Sequence, residues 1–200
     1  LNVEDETIRA IKTLGLKAST VPQLMAEARK VVSGRGLDIT PFKELLEKYV
    51  DEEKIRSSPC DLYVTSLSVT DRREVVFDVK QAPSGTIKDV LLASAFFPAF
   101  KNEKLGGKTY LDGGMVNNVP VDVLAERGYK NLIVIRIYGI GVDTERRTEL
   151  PEDVNVYRIA PRRNLGGILE FEKKRTRRSM TLGYFDAKRL LYGLAGRKYY

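Results

Sequence analysis

The sequence predicts an α/β fold with a largely parallel sheet, and three observations carry that reading. Apolar residues at helical spacing alternate along the chain with short runs rich in β-branched and aromatic residues. Prolines and glycines stand at the joints between these segments. The 200 residues suit one domain or a large part of one, and 42% apolar with 30% charged residues is ordinary for a folded chain.

The elements follow in order. Ile8, Ile11 and Leu14 predict a helix over 6–14. Thr20 caps a second, with Pro22 in its first turn and Leu24, Ala28 and Val31 on one face; Gly34 and Gly36 end it. Thr40-Pro41 opens a third, whose buried side is expected to hold Phe42, Leu45, Leu46 and Tyr49. After Ser57-Ser58-Pro59 the period changes. Residues 61–70 and 74–79 read as strands of a hairpin around Asp71-Arg72-Arg73. Residues 86–97 read as a helix with Ile87, Val90, Leu91 and the small pair Ala93-Ser94 inward, stopped by Pro98. A short strand, 108–111, enters Asp112-Gly113-Gly114, and a helix over 120–127 ends at Gly128. Residues 131–138 and 154–159 are strands, and 139–151 is the most loop-like stretch. A long basic helix spans 170–194, with Leu182, Phe185, Leu190 and Leu191 as its apolar face.

Composition removes several chemistries. The chain has no histidine, which excludes a Ser-His-Asp or Cys-His pair and any His-containing zinc site within it. Its single cysteine, Cys60, excludes an internal disulfide and an all-thiolate zinc site, so no metal is expected; Cys60 itself reads as buried packing. No apolar run approaches the roughly 18 residues of a membrane span. Net charge is +7, and residues 161–200 carry 11 Lys or Arg against 3 Asp or Glu, leaving the rest near neutral. The basic segment between Arg162 and Lys198 is either a solvated helix face or a contact for an anionic membrane surface. It lacks interleaved aromatics and any groove-reading motif, so nucleic acid is not expected as a partner.

The strongest candidate for chemistry is Asp112. A carboxylate followed by Gly113 and Gly114 at a strand end lies where α/β sheets bind ligands, and the glycines permit positive φ and close backbone approach. Alone, an ordinary turn explains such a run. Asn117 and Asn118 read mainly as caps of the helix near Pro120, or as supports of the Asp112 loop. Phe96, Phe97 and Phe100 suit an acyl channel and a core cluster equally. Ser33, Ser84 and Ser94 read as structural.

In order, Leu92-Ala93-Ser94-Ala95-Phe96-Phe97-Pro98-Ala99-Phe100, a variable hairpin, Tyr110-Leu111-Asp112-Gly113-Gly114 and Val116-Asn117-Asn118-Val119-Pro120-Val121 closely resemble the patatin-like phospholipase family. The likeness extends more loosely to Gly36-Leu37, Leu45-Leu46, Asp61-Leu62-Tyr63-Val64-Thr65 and Leu182-Gly183-Tyr184-Phe185-Asp186. It implies that residues 1–200 are the C-terminal part of one three-layer domain. That domain would have helices on both faces of a largely parallel sheet, incomplete on its N-terminal side. It implies a lipid ester substrate, no cofactor, and a Ser–Asp dyad in which Asp112 is the base, with Pro98 shaping the site wall. The Gly-x-Ser-x-Gly elbow and the glycine-rich oxyanion loop of the family have no counterpart in this chain, so the 200 residues alone are expected to be inactive. The competing reading is a non-catalytic interaction domain on the same scaffold. An uncovered sheet edge would favour a homo-oligomer. The chain opens on Leu1 rather than Met, which predicts truncation or processing; a cytoplasmic, peripheral-membrane location is expected, with secretion left open.

Overall fold

The computed structural model describes residues 38–97, 100–101, 103–137, 149–163, 165–166 and 172–192. The helices expected over 6–14 and 20–31 lie outside them, as do Pro98 and most of 139–151. The chain divides into two units, Leu1–Asn118 and Val119–Tyr200.

In the first unit, helix α1 (Thr40–Tyr49) carries Pro41 in its first turn, where a missing N–H costs nothing. The Asp38 carboxylate accepts from the Thr40 N–H at 3.0 Å. Phe42 and Leu46 pack on Ile39, Leu92 and Phe96, whereas Leu45 and Tyr49 are exposed, so the expected buried side is only half occupied. Helix α2 (Glu52–Ser57) was not anticipated, because six residues with one apolar side chain show no period. Its signal is polar: Asp51 accepts from the Lys54 N–H at 3.1 Å, and Glu52 and Glu53 occupy the first turn. Helix α3 (Ile87–Ser94) joins two apolar clusters, giving Ile87 and Val90 to one around Val79 and Leu92 to the other around Phe96.

Strands β1 (Tyr63–Ser68) and β2 (Arg73–Asp78) form the expected hairpin, in register from Tyr63↔Asp78 to Ser68↔Arg73. β3 (Lys104–Leu105) and β4 (Lys108–Asp112) meet across Gly106-Gly107, both at positive φ, the conformation a two-residue hairpin turn requires. The sheet order is β2-β1-β4-β3, and every pairing in it is antiparallel. This differs from the largely parallel sheet read from the alternation of elements. The two turns are too short for a crossover, so each hairpin must run antiparallel. The pairing of β4 with β1 follows the same sense.

In the second unit, helix α4 (Val121–Ala125) precedes β5 (Asn131–Ile135), which pairs in parallel with β6 (Asn155–Ile159). Leu132 and Val134 are buried while Ile133 and Ile135 are exposed, so one face of β5 is covered. Helix α5 (Lys173–Tyr192) packs against β6. Mixed helices and sheets make the chain an α/β fold. Among the described residues, no helix is long and apolar enough to cross a membrane. Cys60 is exposed, contrary to expectation: it follows Pro59 in the irregular stretch before β1 and joins no apolar cluster.

Candidate active site

The site is assembled on β1, whose run Thr65–Ser68 is buried although three of its four residues carry hydroxyls. Ser66 is fully buried, and its Oγ lies 2.8 Å from both the Ala93 and the Leu111 carbonyl oxygens. Its single proton is shared into that pair, tying the end of α3 to β4 one residue before the carboxylate. Asp112 stands opposite Ser66 in the ladder, and its backbone N–H donates to the Phe96 carbonyl at 2.8 Å. Both sides of the Asp112 backbone are thus fixed by residues distant in the chain.

The carboxylate is half-buried. Its Oδ1 accepts from the Gly114 N–H at 2.7 Å, capping the short 3₁₀ turn Gly113–Met115. Burial pushes the Asp112 carboxyl above the usual value, and the Gly114 hydrogen bond offsets part of that rise. Among the described residues no cation contributes to the shift. Lys108, at the far end of β4, is held by Asp71, with Nζ to Oδ2 at 2.7 Å. A desolvated carboxylate with a raised pKa is a better proton acceptor near neutrality than an ordinary Asp.

The two glycines serve the site through space rather than dihedral angle. Neither Gly113 nor Gly114 has positive φ, unlike the expectation for this turn. A Cβ on Gly113 would stand 2.2 Å from the Thr65 carbonyl oxygen, and one on Gly114 2.9 Å from Asn118 Oδ1. The loop therefore lies directly against β1. Its far side is closed by the Gly113 carbonyl, which accepts from the Val116 and Asn117 N–H groups at 3.0 and 2.9 Å.

Asn117 is buried and its Nδ2 donates to Glu74 Oε1 at 3.2 Å, which links the loop to β2. Capping was the preferred role for Asn117 and Asn118. Instead Pro120 is the N-cap of α4, with no side-chain cap bond, and both asparagines belong to the Asp112 loop. Phe96 is fully buried in the core with Phe100 packed on its cluster, which makes these two rings core rather than channel. Pro98 lies outside the described residues. Sequence reasoning missed Thr65, Ser66, Glu74 and the Phe96 carbonyl; hydroxyl-rich residues within a strand were the available sign for the first two. Among the described residues no group of three His, Cys, Asp or Glu side chains is placed to hold a metal ion.

A family model for patatin-like phospholipase matches residues 8–125, more than half of the chain. The chain belongs to the patatin-like phospholipase family. The matched stretch includes Asp112, Gly113, Gly114, Asn117 and Asn118. Membership associates the chain with lipid hydrolases acting as esterases or phospholipases. No curated protein matches it.

The raised pKa of Asp112 makes a sign-specific prediction for this patatin-like chain. A folded pKa above the unfolded 3.8 means that the contribution of Asp112 to stability is greatest below 3.8. It is lost as pH rises through the folded value. Asp112→Asn, which keeps an acceptor for the Gly114 N–H, is therefore expected to gain stability relative to the parent chain as pH rises from acid to neutral. Urea midpoints of both chains across that range check this, and the opposite slope contradicts it.

Proposed function

We propose that Asp112 is the general base of a Ser–Asp dyad that hydrolyses carboxylic esters of lipids. The observation carrying the reading is a half-buried carboxylate with a raised pKa that accepts from the Gly114 N–H, with no cation against it among the described residues. In this scheme a serine from a segment outside these residues attacks the ester carbonyl carbon, and its proton passes to Asp112. The proton then goes to the leaving alkoxide as the C–O bond breaks. Water then attacks the acyl-serine carbonyl as Asp112 takes its proton, and Asp112 returns that proton to the serine oxygen as the carboxylic acid leaves. Gly113, Gly114, Asn117 and Asn118 shape and hold the loop.

Residues 1–200 form, in this reading, the C-terminal part of one three-layer α/β domain. The parallel β5–β6 pair supports it, as do Ile133 and Ile135, which stand 60% and 71% exposed on a face that another layer would cover. Alone, the 200-residue chain supplies a base without a nucleophile. It is expected to remain unlabelled by a fluorophosphonate, which reacts with activated serines, and to leave a soluble ester intact. Stoichiometric labelling of any serine in this chain would overturn the division of roles.

A further inference from the structure

Helix α5 presents two unlike faces. On the inner one, Asp186 is 4% exposed, with Oδ1 3.2 Å from Arg162 Nε, and Leu182 and Phe185 are half-buried. The buried Asp186, paired with a half-exposed Arg162, marks the inner side of the helix. At 3.6 residues per turn, Lys173, Arg177, Met180, Tyr184, Lys188 and Leu191 fall on one stripe on the opposite side. Met180 is 71% exposed, Tyr184 60% and Leu191 59%. The Tyr184 ring lies under the Lys188 ammonium, 5.7 Å from Nζ, and edge-on to Phe185.

The charge on this helix has one sign outward. Three of its seven Lys or Arg residues lie on this stripe, and its one acid, Asp186, is buried and already paired. Solvent-facing stripes are normally polar throughout, whereas large apolar groups interleaved with cations are the pattern of a helix lying in a membrane interface. There the aliphatic side chains sink below the head groups, tyrosine sits at their level, and Lys and Arg meet the phosphates. We propose that α5 docks through this stripe on the surface of a bilayer containing anionic phospholipid. The proposal deepens the lipid-ester reading and rests on it for the choice of a lipid partner. A symmetric contact with a second copy would set cations against cations. Nucleic acid would satisfy the cations but leave Met180 and Leu191 bare.

Vesicle sedimentation of the 200-residue chain tests this, using phosphatidylcholine alone and with about a third phosphatidylserine. Each basic residue near an anionic surface contributes about fivefold to partitioning. Binding to the anionic vesicles is therefore expected to exceed binding to the zwitterionic ones by about 100-fold, and to weaken with salt. Arg177→Gln with Lys188→Gln lowers the partition coefficient about 30-fold, and Met180→Ser with Leu191→Ser about tenfold or more. Circular dichroism checks that both variants keep the helix. Equal binding to the two vesicle types overturns the proposal, as does parental binding by either variant. A dimer that dissociates on Leu191→Ser, or duplex DNA binding that vesicles fail to compete, overturns it too. In the serine-bearing protein, hydrolysis of a soluble ester is unchanged by these four substitutions. A failure of docking thus leaves the dyad reading standing, and a wild-type protein inactive on the soluble ester defeats that reading without touching the vesicle result.

Discussion

Asp112→Asn, made in the protein that carries the serine, lowers kcat/KM for a soluble ester by about 10²–10⁴-fold. The amide keeps the size of the carboxylate and an acceptor for the Gly114 N–H, which the acid receives at 2.7 Å, so the loop is retained while the base is lost. On the proposed dyad, the parent enzyme should show an acid limb in its pH–rate profile, because Asp112 would have to be ionised to accept the serine proton. That limb lies above 3.8, since burial raises the group, and it vanishes in the variant. Steady-state kinetics over the acid-to-neutral range measure both effects. Turnover equal to the parent's in the Asn variant would remove Asp112 from the chemistry.

Among the described glycines, Gly113→Ala is expected to be the most damaging substitution. Its Cβ would stand 2.2 Å from the Thr65 carbonyl oxygen and 2.4 Å from the carbonyl carbon, which are backbone atoms of a strand paired on both sides. Forced overpacking costs about 1–3 kcal/mol, and more when backbone must move. Set against a folding stability of roughly 5–15 kcal/mol, that is a large fraction. In the serine-bearing protein, the displaced loop also misplaces the carboxylate, and a shift of about 1 Å can cost 10²-fold in rate. Gly114→Ala is the milder comparison: its Cβ would meet side chains, Asn118 Oδ1 at 2.9 Å and Asp112 Oδ1 at 3.1 Å, rather than strand backbone. Urea denaturation should show a clear loss for Gly113→Ala and a small one for Gly114→Ala. Equal midpoints for the two would refute the close-approach explanation.

Much of the site was readable from local chemistry. A strand that ends in Asp-Gly-Gly, a helix that stops before Pro98 and an Asn-rich approach to Pro120 are features of neighbouring residues, and the elements on which they lie are present. The role of the glycines was legible only as a need for glycine, because a sequence does not distinguish positive φ from lack of room. The asparagines were misassigned for a similar reason. Capping is a local preference, while the hydrogen bond from Asn117 to Glu74 spans 43 residues. Helix α2 escaped notice because its stability comes from the Asp51 cap and from Glu52, which bonds both Arg56 and the Gly85 N–H, rather than from an apolar stripe. Cys60 was assigned to the core by residue type, although it stands exposed in the irregular stretch before β1.

By itself, the sequence determined most of the helices and strands found among the described residues, which carboxylate ends β4, and that histidine and disulfide chemistry are absent from these 200 residues. Periodicity, turn residues and counts are properties of neighbouring residues or of composition, and they survive without a fold. Tertiary structure alone decided that β4 runs antiparallel to β1, that Ser66 fixes Leu111 from 45 residues away, and that Asp112 is desolvated without meeting a lysine or arginine among the described residues. Strand direction, burial and charge pairing depend on which distant segments come together, so no local pattern specifies them.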